Sequence, residues 1–368
     1  MRTQPAPPAP APEVRRRAIL RGERNVGPTS LRVADQRAAA YLGVGRRLGD
    51  AHYAGYAEAV IAPWMAAASR PVAALVLQAT ILQVRHEFDP ARKLLQQALA
   101  HDPRNVQAWL TLATIDTVQG DYVAAAHACG ETGRTRGLAV NVACEANLRE
   151  YQGRARQGIA LLEQIDANAS GQSSESSAWV QGLLAESFER LGDWTSAETH
   201  YRKALVATPD DNFLLVAYAD FLLDRKRPRE VLTLLAGHTQ SDTAFLRLAL
   251  AQAALESPDA TRYAWIMAAR FEALRQRGSY YFGREQARFA LQLQHDPQEA
   301  LTLAEQNWAV QHEPWDDRVL LEAAQAANQP GAAAPGPAFL QQSKLEDPII
   351  APLARQLQAR LDAKTVAR

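Results

Sequence analysis

The sequence predicts an all-α protein in which antiparallel pairs of helices stack side by side as a solenoid. The first observation is a repeat of 34 residues, seen where 75–91 and 109–125 carry the same kinds of residue at the same offsets. The second is a Gly-Asp-aromatic turn, found at Gly120 and again at Gly192. A single hairpin cannot bury its apolar face, so a period of this length predicts stacked hairpins.

Small side chains recur where the two helices of a hairpin are expected to cross. Ala79 and Ala113 fall on the first helix of their hairpins, and Ala91 and Ala125 fall on the second. Helices approach closely only where small residues meet, and larger residues at the flanking offsets then fill the space between hairpins. Gly120 permits the left-handed backbone at a helix end, so the sequence also predicts the position of the turn.

The same spacing extends in both directions along the chain. It predicts a solenoid of about seven hairpins over residues 28–327, with its clearest repeats at 72–134 and 178–240. Residues 167–177 are polar and helix-breaking, which indicates a loop inserted between repeats, with a flexible lid as the alternative. The pattern is weakest over 238–312.

The two ends of the chain differ in composition from the solenoid. Residues 1–27 are rich in proline and alanine and then basic, and are expected to form a disordered tail. Residues 328–337 are rich in proline and glycine, which predicts a linker. Residues 338–368 are predicted to hold an amphipathic helix that caps the last repeat. Binding of that helix to a partner or a membrane surface is the alternative.

The charge balance limits the classes of partner. Forty basic and forty acidic residues give a formal net charge of zero, which argues against a general nucleic-acid binder. A nucleic-acid-linked regulator that uses Arg15, Arg16 and Arg17 remains the alternative, and it predicts binding that falls steeply with salt. No apolar run reaches the ~18 residues that a membrane-spanning helix needs.

The two cysteines, Cys129 and Cys144, exclude a disulfide framework and a four-cysteine zinc site. Free cysteines are commonly buried, so both are expected to be reduced core thiols. A single disulfide is the alternative if the chain is exported. The first residues lack the apolar core of a signal peptide, so a cytoplasmic location is expected; a misassigned start codon would hide an export signal.

No motif for catalysis, metal or cofactor binding is present. His86-Glu87 lacks the second histidine of the His-Glu-x-x-His zinc motif, and neither a phosphate-binding loop nor a Gly-x-Ser-x-Gly elbow is found. The sequence therefore predicts a non-enzymatic protein without a cofactor. The alternative is an enzyme whose site lies within 238–312, where the repeat pattern is weakest.

The register of small, turn and stop residues resembles that of the tetratricopeptide repeat (TPR) family. Ala185, Gly192, Trp194, Ala197 and Pro209 stand where this family places its small, turn, aromatic and helix-ending residues. The resemblance implies a TPR-type α-solenoid of antiparallel helix hairpins with a C-terminal capping helix. It also implies a scaffold that binds a peptide or protein segment in its concave groove. The chain is similar to the broad group of bacterial TPR proteins of unassigned role, which implies no activity.

In this family the concave groove is lined by the first helix of each hairpin. Carrying the family's offsets over gives hydroxyl-bearing residues in the early repeats, among them Thr80, Thr114 and Thr117. In the middle repeats it gives an acidic and aromatic surface. The predicted binding residues are Asn147, Glu150, Tyr151, Trp179, Glu186, Glu189, Arg190, Phe213, Asp220 and Asp224.

Carboxylates that line a concavity concentrate negative potential, so this surface favours a basic partner segment, with the aromatic residues as anchors. A solvated acidic helix face is the alternative. The lysines with which some TPR proteins clamp a terminal carboxylate are missing, and among the corresponding positions only Asn147 is similar. Binding of a chaperone tail is therefore not expected. The sequence leaves the oligomeric state open.

Overall fold

A computed structural model describes residues 30–50, 52–134, 138–167, 173–276 and 283–366, and these ranges contain helices and turns without a strand. They form a solenoid of eight hairpins, which confirms the predicted all-α architecture with one hairpin more than expected. The successive pairs are α1 (Leu31–Leu48) and α2 (His52–Met65), α3 (Val72–Val84) and α4 (Phe88–His101), α5 (Val106–Val118) and α6 (Tyr122–Gly133), α7 (Leu138–Tyr151) and α8 (Ala155–Ala167), α9 (Ser174–Arg190) and α10 (Trp194–Ala207), α11 (Asn212–Asp224) and α12 (Pro228–Leu234), α13 (Asp242–Ala254) and α14 (Ala260–Gln276), and α15 (Gly283–Phe289) and α16 (Pro297–Trp308). Helix α15 continues as a π-helical turn, Ala290–Gln294, and α17 (Pro314–Ala326) follows the eighth hairpin.

The hairpins pack through the small residues that the sequence predicts. Ala79 and Ala91 are fully buried between α3 and α4, and Ala113 and Ala125 take the same places between α5 and α6. Gly158, where the repeat pattern favours alanine, lies against the neighbouring helix: a Cβ there would be 2.7 Å from the carbonyl oxygen of Ala146. Small residues thus set the distance between paired helices, and glycine replaces alanine where the backbones are closest.

Every hairpin turns through one residue with a left-handed backbone. Glycine fills this position in four hairpins, at Gly49, Gly120, Gly153 and Gly192. In the other four the residues are His86, Lys226, Glu256 and His295, with φ between 49° and 59°. The turn geometry is therefore retained where the glycine signature is lost, and the non-glycine residues adopt a backbone that L-amino acids disfavour.

Two predicted loops are partly helical, and residues 168–172 of the first lie outside the described residues. Ser173 caps α9, and Ser174 to Ser177 form its first turn, so only the earlier part of the predicted insertion lies outside that helix. The interpretation of 328–337 as a linker is wrong: Pro330–Ala333 is a 3-10 helix, and Pro335 begins α18 (Pro335–Ser343). Proline fits the first turn of a helix because the N–H it lacks has no partner there.

The predicted C-terminal cap consists of two helices, α18 and α19 (Ile350–Val366). Ile350, Ala354 and Leu357 are buried in one cluster with Leu320 and Ala324 of α17. Helix α19 therefore covers the apolar side of α17, the position that the capping interpretation requires. The predicted tail at 1–27 lies outside the described residues. None of the described helices combines the length and the apolar composition that crossing a bilayer requires.

The expectation of two reduced thiols is wrong, because a disulfide joins Cys129 of α6 to Cys144 of α7. These helices are antiparallel neighbours from consecutive hairpins, and the two Cα atoms are 5.7 Å apart, within the range that a disulfide spans. Thr132 and Asn141 both donate to the carbonyl oxygen of Cys129, at 2.6 Å each. The contact between the third and fourth hairpins is thus covalent.

Candidate functional site on the inner face

The inner face is formed by the first helices of hairpins two to six, namely α3, α5, α7, α9 and α11, and these are called the inner helices below. Two of the predicted groove residues are exposed there: Trp179 keeps 38% and Phe213 keeps 59% of its surface accessible. They stand 34 residues apart near the beginnings of α9 and α11. Equal offsets in consecutive repeats place both rings on the same face of neighbouring helices.

The early inner helices contribute hydroxyl groups that are already engaged. Thr80 donates to the carbonyl oxygen of Val76 at 2.9 Å, and Thr114 donates to that of Leu110 at 3.0 Å. Thr114 is nevertheless exposed, so its hydroxyl oxygen can still accept a hydrogen bond. Asn147 of α7 is half-buried. These predicted groove residues carry no charge.

Glu150 and Tyr151, at the end of α7, are buried and face the end of α9. Glu150 forms an ion pair with Arg190 and accepts a hydrogen bond of 2.8 Å from Ser187 Oγ. The Arg190 guanidinium lies 5.3 Å from the centre of the Tyr151 ring. The carboxylate is therefore neutralised within the protein and is not displayed to a partner.

Asp220 is the centre of a buried ion-pair cluster. Arg247 Nη2 lies 2.7 Å from Asp220 Oδ2, and Arg288 Nη1 lies 2.9 Å from Oδ1. Arg247 also pairs with Glu285, so each of the two arginines is matched by a carboxylate. Burial alone would raise the pKa of Asp220, but the two guanidinium groups outweigh it and lower that pKa to about 2.

Asp224, one turn further along α11, is held by Arg318 of α17. Both Asp224 oxygens accept hydrogen bonds, from Arg318 Nη1 at 2.7 Å and Nη2 at 2.8 Å. The guanidinium groups of Arg288 and Arg318 lie 4.5 and 4.3 Å from the Trp315 ring, so this aromatic side chain stacks between two cations. A bidentate pair of this kind fixes geometry as well as charge.

Glu186 and Glu189 of α9 are half-buried. Tyr201 donates a hydrogen bond of 2.8 Å to Glu189. Burial, reinforced by Asp224, raises the pKa of Glu189 to about 7. Burial, reinforced by Glu150, also raises the pKa of Glu186. Both groups carry less negative charge near neutral pH than ordinary glutamates do.

Residues 312–350, called the C-terminal segment below, cover the turn ends of the inner helices. The His312 N–H donates to the Val118 carbonyl oxygen at 2.7 Å, and its ring Nδ1 lies 2.9 Å from the Gln119 oxygen. Asp347 lies 3.8 Å from Arg190. The backbone of Lys344 packs on Gly153, where a Cβ would be 2.0 Å from the Lys344 oxygen.

The inner face is thus divided lengthwise. Its turn-side half, with Glu150, Tyr151, Arg190, Asp220 and Asp224, is covered or ion-paired by the chain's own last repeats. The other half keeps Trp179 and Phe213 accessible. The prediction of an acidic groove is therefore wrong for its turn-side half, because arginines from the divergent repeats neutralise its carboxylates. Those arginines, Arg247, Arg288 and Arg318, are site residues that the repeat offsets did not reveal.

A second opening is a cleft of about 1600 Å³ between the first two hairpins and α14 to α16. Trp265 of α14, 72% exposed, lies on its wall. Asp50, Glu87 and Arg270 contribute charges of both signs. Across the described ranges, no group of three or more histidine, cysteine, aspartate or glutamate side chains is placed to hold a metal ion.

Stacked hairpins with small residues at their crossings and a left-handed turn in each define an α-solenoid repeat protein. The model of the tetratricopeptide repeat family matches residues 76–132 and 145–212, inside the repeats that the structure shows. These residues of the chain are therefore tetratricopeptide repeats, as their register predicted. Proteins built from these repeats are, in general terms, protein-interaction scaffolds.

Several solved structures are similar to this chain. One is a tetratricopeptide repeat protein from Parabacteroides merdae ATCC 43184, 10% identical over 78% of this chain and 98% of that one, with a TM-score of 0.37. A chain of the APC/C hetero-tetramer Cut9-Hcn1 is 12% identical over 89% of this chain and 83% of that one, with a TM-score of 0.36. The P58(IPK) TPR domain is 15% identical over 80% of this chain and 99% of that one, with a TM-score of 0.28. No curated protein matches the sequence.

Proposed function

We propose that the protein is a non-enzymatic scaffold that holds a segment of a partner protein along the open half of its inner face. The observation that supports this is the pair of exposed aromatic rings, Trp179 and Phe213, at matching offsets on adjacent inner helices. Large aromatic side chains gain much from burial and are enriched among the residues that carry binding energy. Two of them side by side on a concave face form an anchor for apolar side chains.

The spacing of the anchors suggests the form of the partner segment. Axes of packed helices lie about 8–10 Å apart, and side chains at matching offsets on neighbouring helices would be separated by roughly that distance. An extended chain advances about 3.3 Å per residue. A strand-like segment with apolar side chains about three residues apart would therefore place one side chain on each ring.

The surroundings of the anchors are polar, as is usual at the rim of an interface. Arg46 of α1 lies 3.9 Å from Asp211, and Arg47 lies 3.8 Å from Glu175, so both signs of charge flank the beginnings of α9 and α11. The carboxylates that favoured a basic partner are largely paired with arginine. An apolar segment with polar flanks is the better fit to this surface.

The proposal is tested by capture of partners from native cell extract with three proteins. These are the wild type, the Trp179→Ala/Phe213→Ala double variant, and Trp265→Ala, which removes an exposed tryptophan from an outer helix. We expect the double variant to lose a partner that the other two retain. A photoreactive residue at position 213 should then cross-link that partner. Equal capture by all three proteins, without cross-linking, contradicts the proposal.

A further inference from the structure

Several carboxyl groups lie in the interface between the C-terminal segment and the helices that it covers. Asp317 of α17 has no exposed surface, and neither of its carboxylate oxygens accepts a hydrogen bond from a described residue. Within the segment it packs on α18, where a Cβ at Gly336 would be 2.2 Å from Asp317 Oδ1, and across the interface it faces Tyr122 of α6. An ionised carboxylate in such surroundings carries a large desolvation penalty, so this geometry favours the protonated acid.

The groups around Asp317 add to this preference. Asp316 precedes it on α17 and is held by Asn307 Nδ2 at 2.9 Å and Arg284 Nη1 at 3.4 Å. Asp347 of the C-terminal segment faces Asp317 as a second like charge. Burial is the main cause that raises the pKa of Asp317 to about 7, and the negative charges of Asp347 and Asp316 add to it. No arginine is placed to neutralise it among the described residues, because Arg284 is engaged by Asp316 and Glu313.

Glu189, on α9, lies on the opposite wall of this interface. Apart from Tyr201, which donates to it, it faces Asp224 of α11, Arg190 of its own helix and Asp347 of the C-terminal segment. Its two acidic neighbours belong to separate elements that meet only when the C-terminal segment is in place. Ionisation of Glu189 would therefore add repulsion across the interface.

Glu186 lies one turn before Arg190 and is surrounded in the same way. It faces Glu150 of α7, Glu189 and Arg190 of α9, and Glu313 at the beginning of α17. Tyr151 completes its surroundings. Arg190, the cation shared by this cluster, already pairs with Glu150 and lies near Asp347, so it cannot also balance Glu186 and Glu189.

We propose that the closure of the inner face by the C-terminal segment is a pH-dependent latch, closed while Glu186, Glu189 and Asp317 are protonated and loosened when they ionise. These three acids come from both walls of one interface. Their ionisation places like charges close together with few cations nearby. Separation of the walls exposes Glu186 and Glu189 to water and removes the α6 side of the Asp317 site. The latch would control how much of the inner face is open.

The direction of the pH dependence follows from the linkage between proton binding and closure. Carboxyl groups in unfolded chains have pKa values near 4, whereas those of Glu189 and Asp317 here are about 7. The closed state therefore holds protons that the open state releases. The stabilisation is complete below about pH 4 and is lost as the pH rises through about 7, with each group shifting the equilibrium up to tenfold per pH unit.

The test is amide hydrogen exchange at pH 5.5 and pH 8.5. The proteins are the wild type, Glu189→Gln, Asp317→Asn and the control Glu163→Gln, which changes an exposed glutamate of α8. The exchange rate of each variant is divided by that of the wild type at the same pH, which cancels the intrinsic pH dependence of exchange. At pH 8.5 we expect peptides from residues 312–350 to exchange at least tenfold more slowly in Glu189→Gln and Asp317→Asn than in the wild type. At pH 5.5 the difference should be smaller, because the wild type has lost less of the stabilisation that protonation provides.

Glu163→Gln should match the wild type at both pH values. Peptides from the second half of α4 lie away from the turn at His86, which faces Glu313. They should not differ among the four proteins, which separates opening of the latch from global unfolding. If Asp317→Asn does not fold, the exchange of residues 312–350 in Glu189→Gln at pH 8.5 tests the proposal alone. Equal exchange of residues 312–350 in the wild type and the folded variants at pH 8.5 overturns the proposal.

Discussion

The middle repeats and the last repeats use their first helices in complementary ways. Helices α7, α9 and α11 present carboxylates to the interior, whereas α13, α15 and α17 present Arg247, Arg288 and Arg318. The first group follows the repeat consensus closely, and the second departs from it. The comparison shows that the departure marks an intramolecular interface: inner positions of the last repeats bind the solenoid itself.

The two regions are also held together differently. The earlier repeats rely on close-packed alanines and leucines, with Leu95 and Ala98 of the second hairpin fully buried. The last repeats add a buried network in which each arginine contacts at least one carboxylate. Such networks contribute little net stability compared with apolar packing, but removing one member leaves a charge buried without its partner. The comparison therefore predicts different responses to mutation.

The largest effect is expected at the centre of the network. Arg247→Ala should lower the free energy of unfolding by about 3–5 kcal/mol, because Asp220 and Glu285 would remain buried with one cation fewer. Urea denaturation measures this. Arg202→Ala, which removes a largely exposed partner of Glu198, is the control and should change stability by less than about 1 kcal/mol. Equal effects would show that Arg247 is not buried in a network.

In the earlier repeats the corresponding test is apolar. Leu95→Ala should lower the free energy of unfolding by about 2–5 kcal/mol, since a fully buried leucine leaves a cavity. Val206→Ala, at an 85% exposed position of α10, is the matched control and should have little effect. A Leu95 variant as stable as the parent would contradict the register of the second hairpin.

The covalent link between the third and fourth hairpins should contribute about 3 kcal/mol, the value for a closed loop of about 15 residues. Comparison of the melting temperature with and without reductant measures it, and a Cys129→Ser/Cys144→Ser variant should be insensitive to reductant. If the wild type is equally insensitive, the two cysteines are not joined in the folded protein.

The smallest effect concerns the turns. Lys226→Gly should raise stability by up to about 1 kcal/mol, because glycine adopts the left-handed backbone without the steric penalty of a side chain. Gly192→Ala should have the opposite sign for the same reason. Calorimetry of both variants is the check. A destabilised Lys226 variant would indicate that the lysine side chain makes a contact that offsets its backbone strain.

Most of the fold was predictable because its determinants are local. Ala79, Ala91 and Gly120 recur with the period of the hairpin, and steric fit between adjacent helices decides their identity. The site was predictable only in part. Trp179 and Phe213 are exposed, as the binding prediction requires, but the neutralisation of Asp220 and Asp224 was missed.

The missed contacts are long-range. Arg318 lies 94 residues from Asp224 in sequence, and Arg288 lies 68 residues from Asp220. These pairs meet only because small rotations between successive hairpins bring the last repeats back over the middle ones. The sequence period does not contain those rotations. The disulfide was misjudged for a similar reason, since its formation depends on how α6 and α7 are spaced.

The central claim is that the last repeats close the turn-side half of the inner face. The most direct test is a double-mutant cycle on Asp224 and Arg318, with each residue changed to alanine alone and together. Because this bidentate pair joins distant parts of the chain, we expect a coupling energy of about 1–3 kcal/mol in urea denaturation. Additive single effects, with coupling near zero, would contradict the closure.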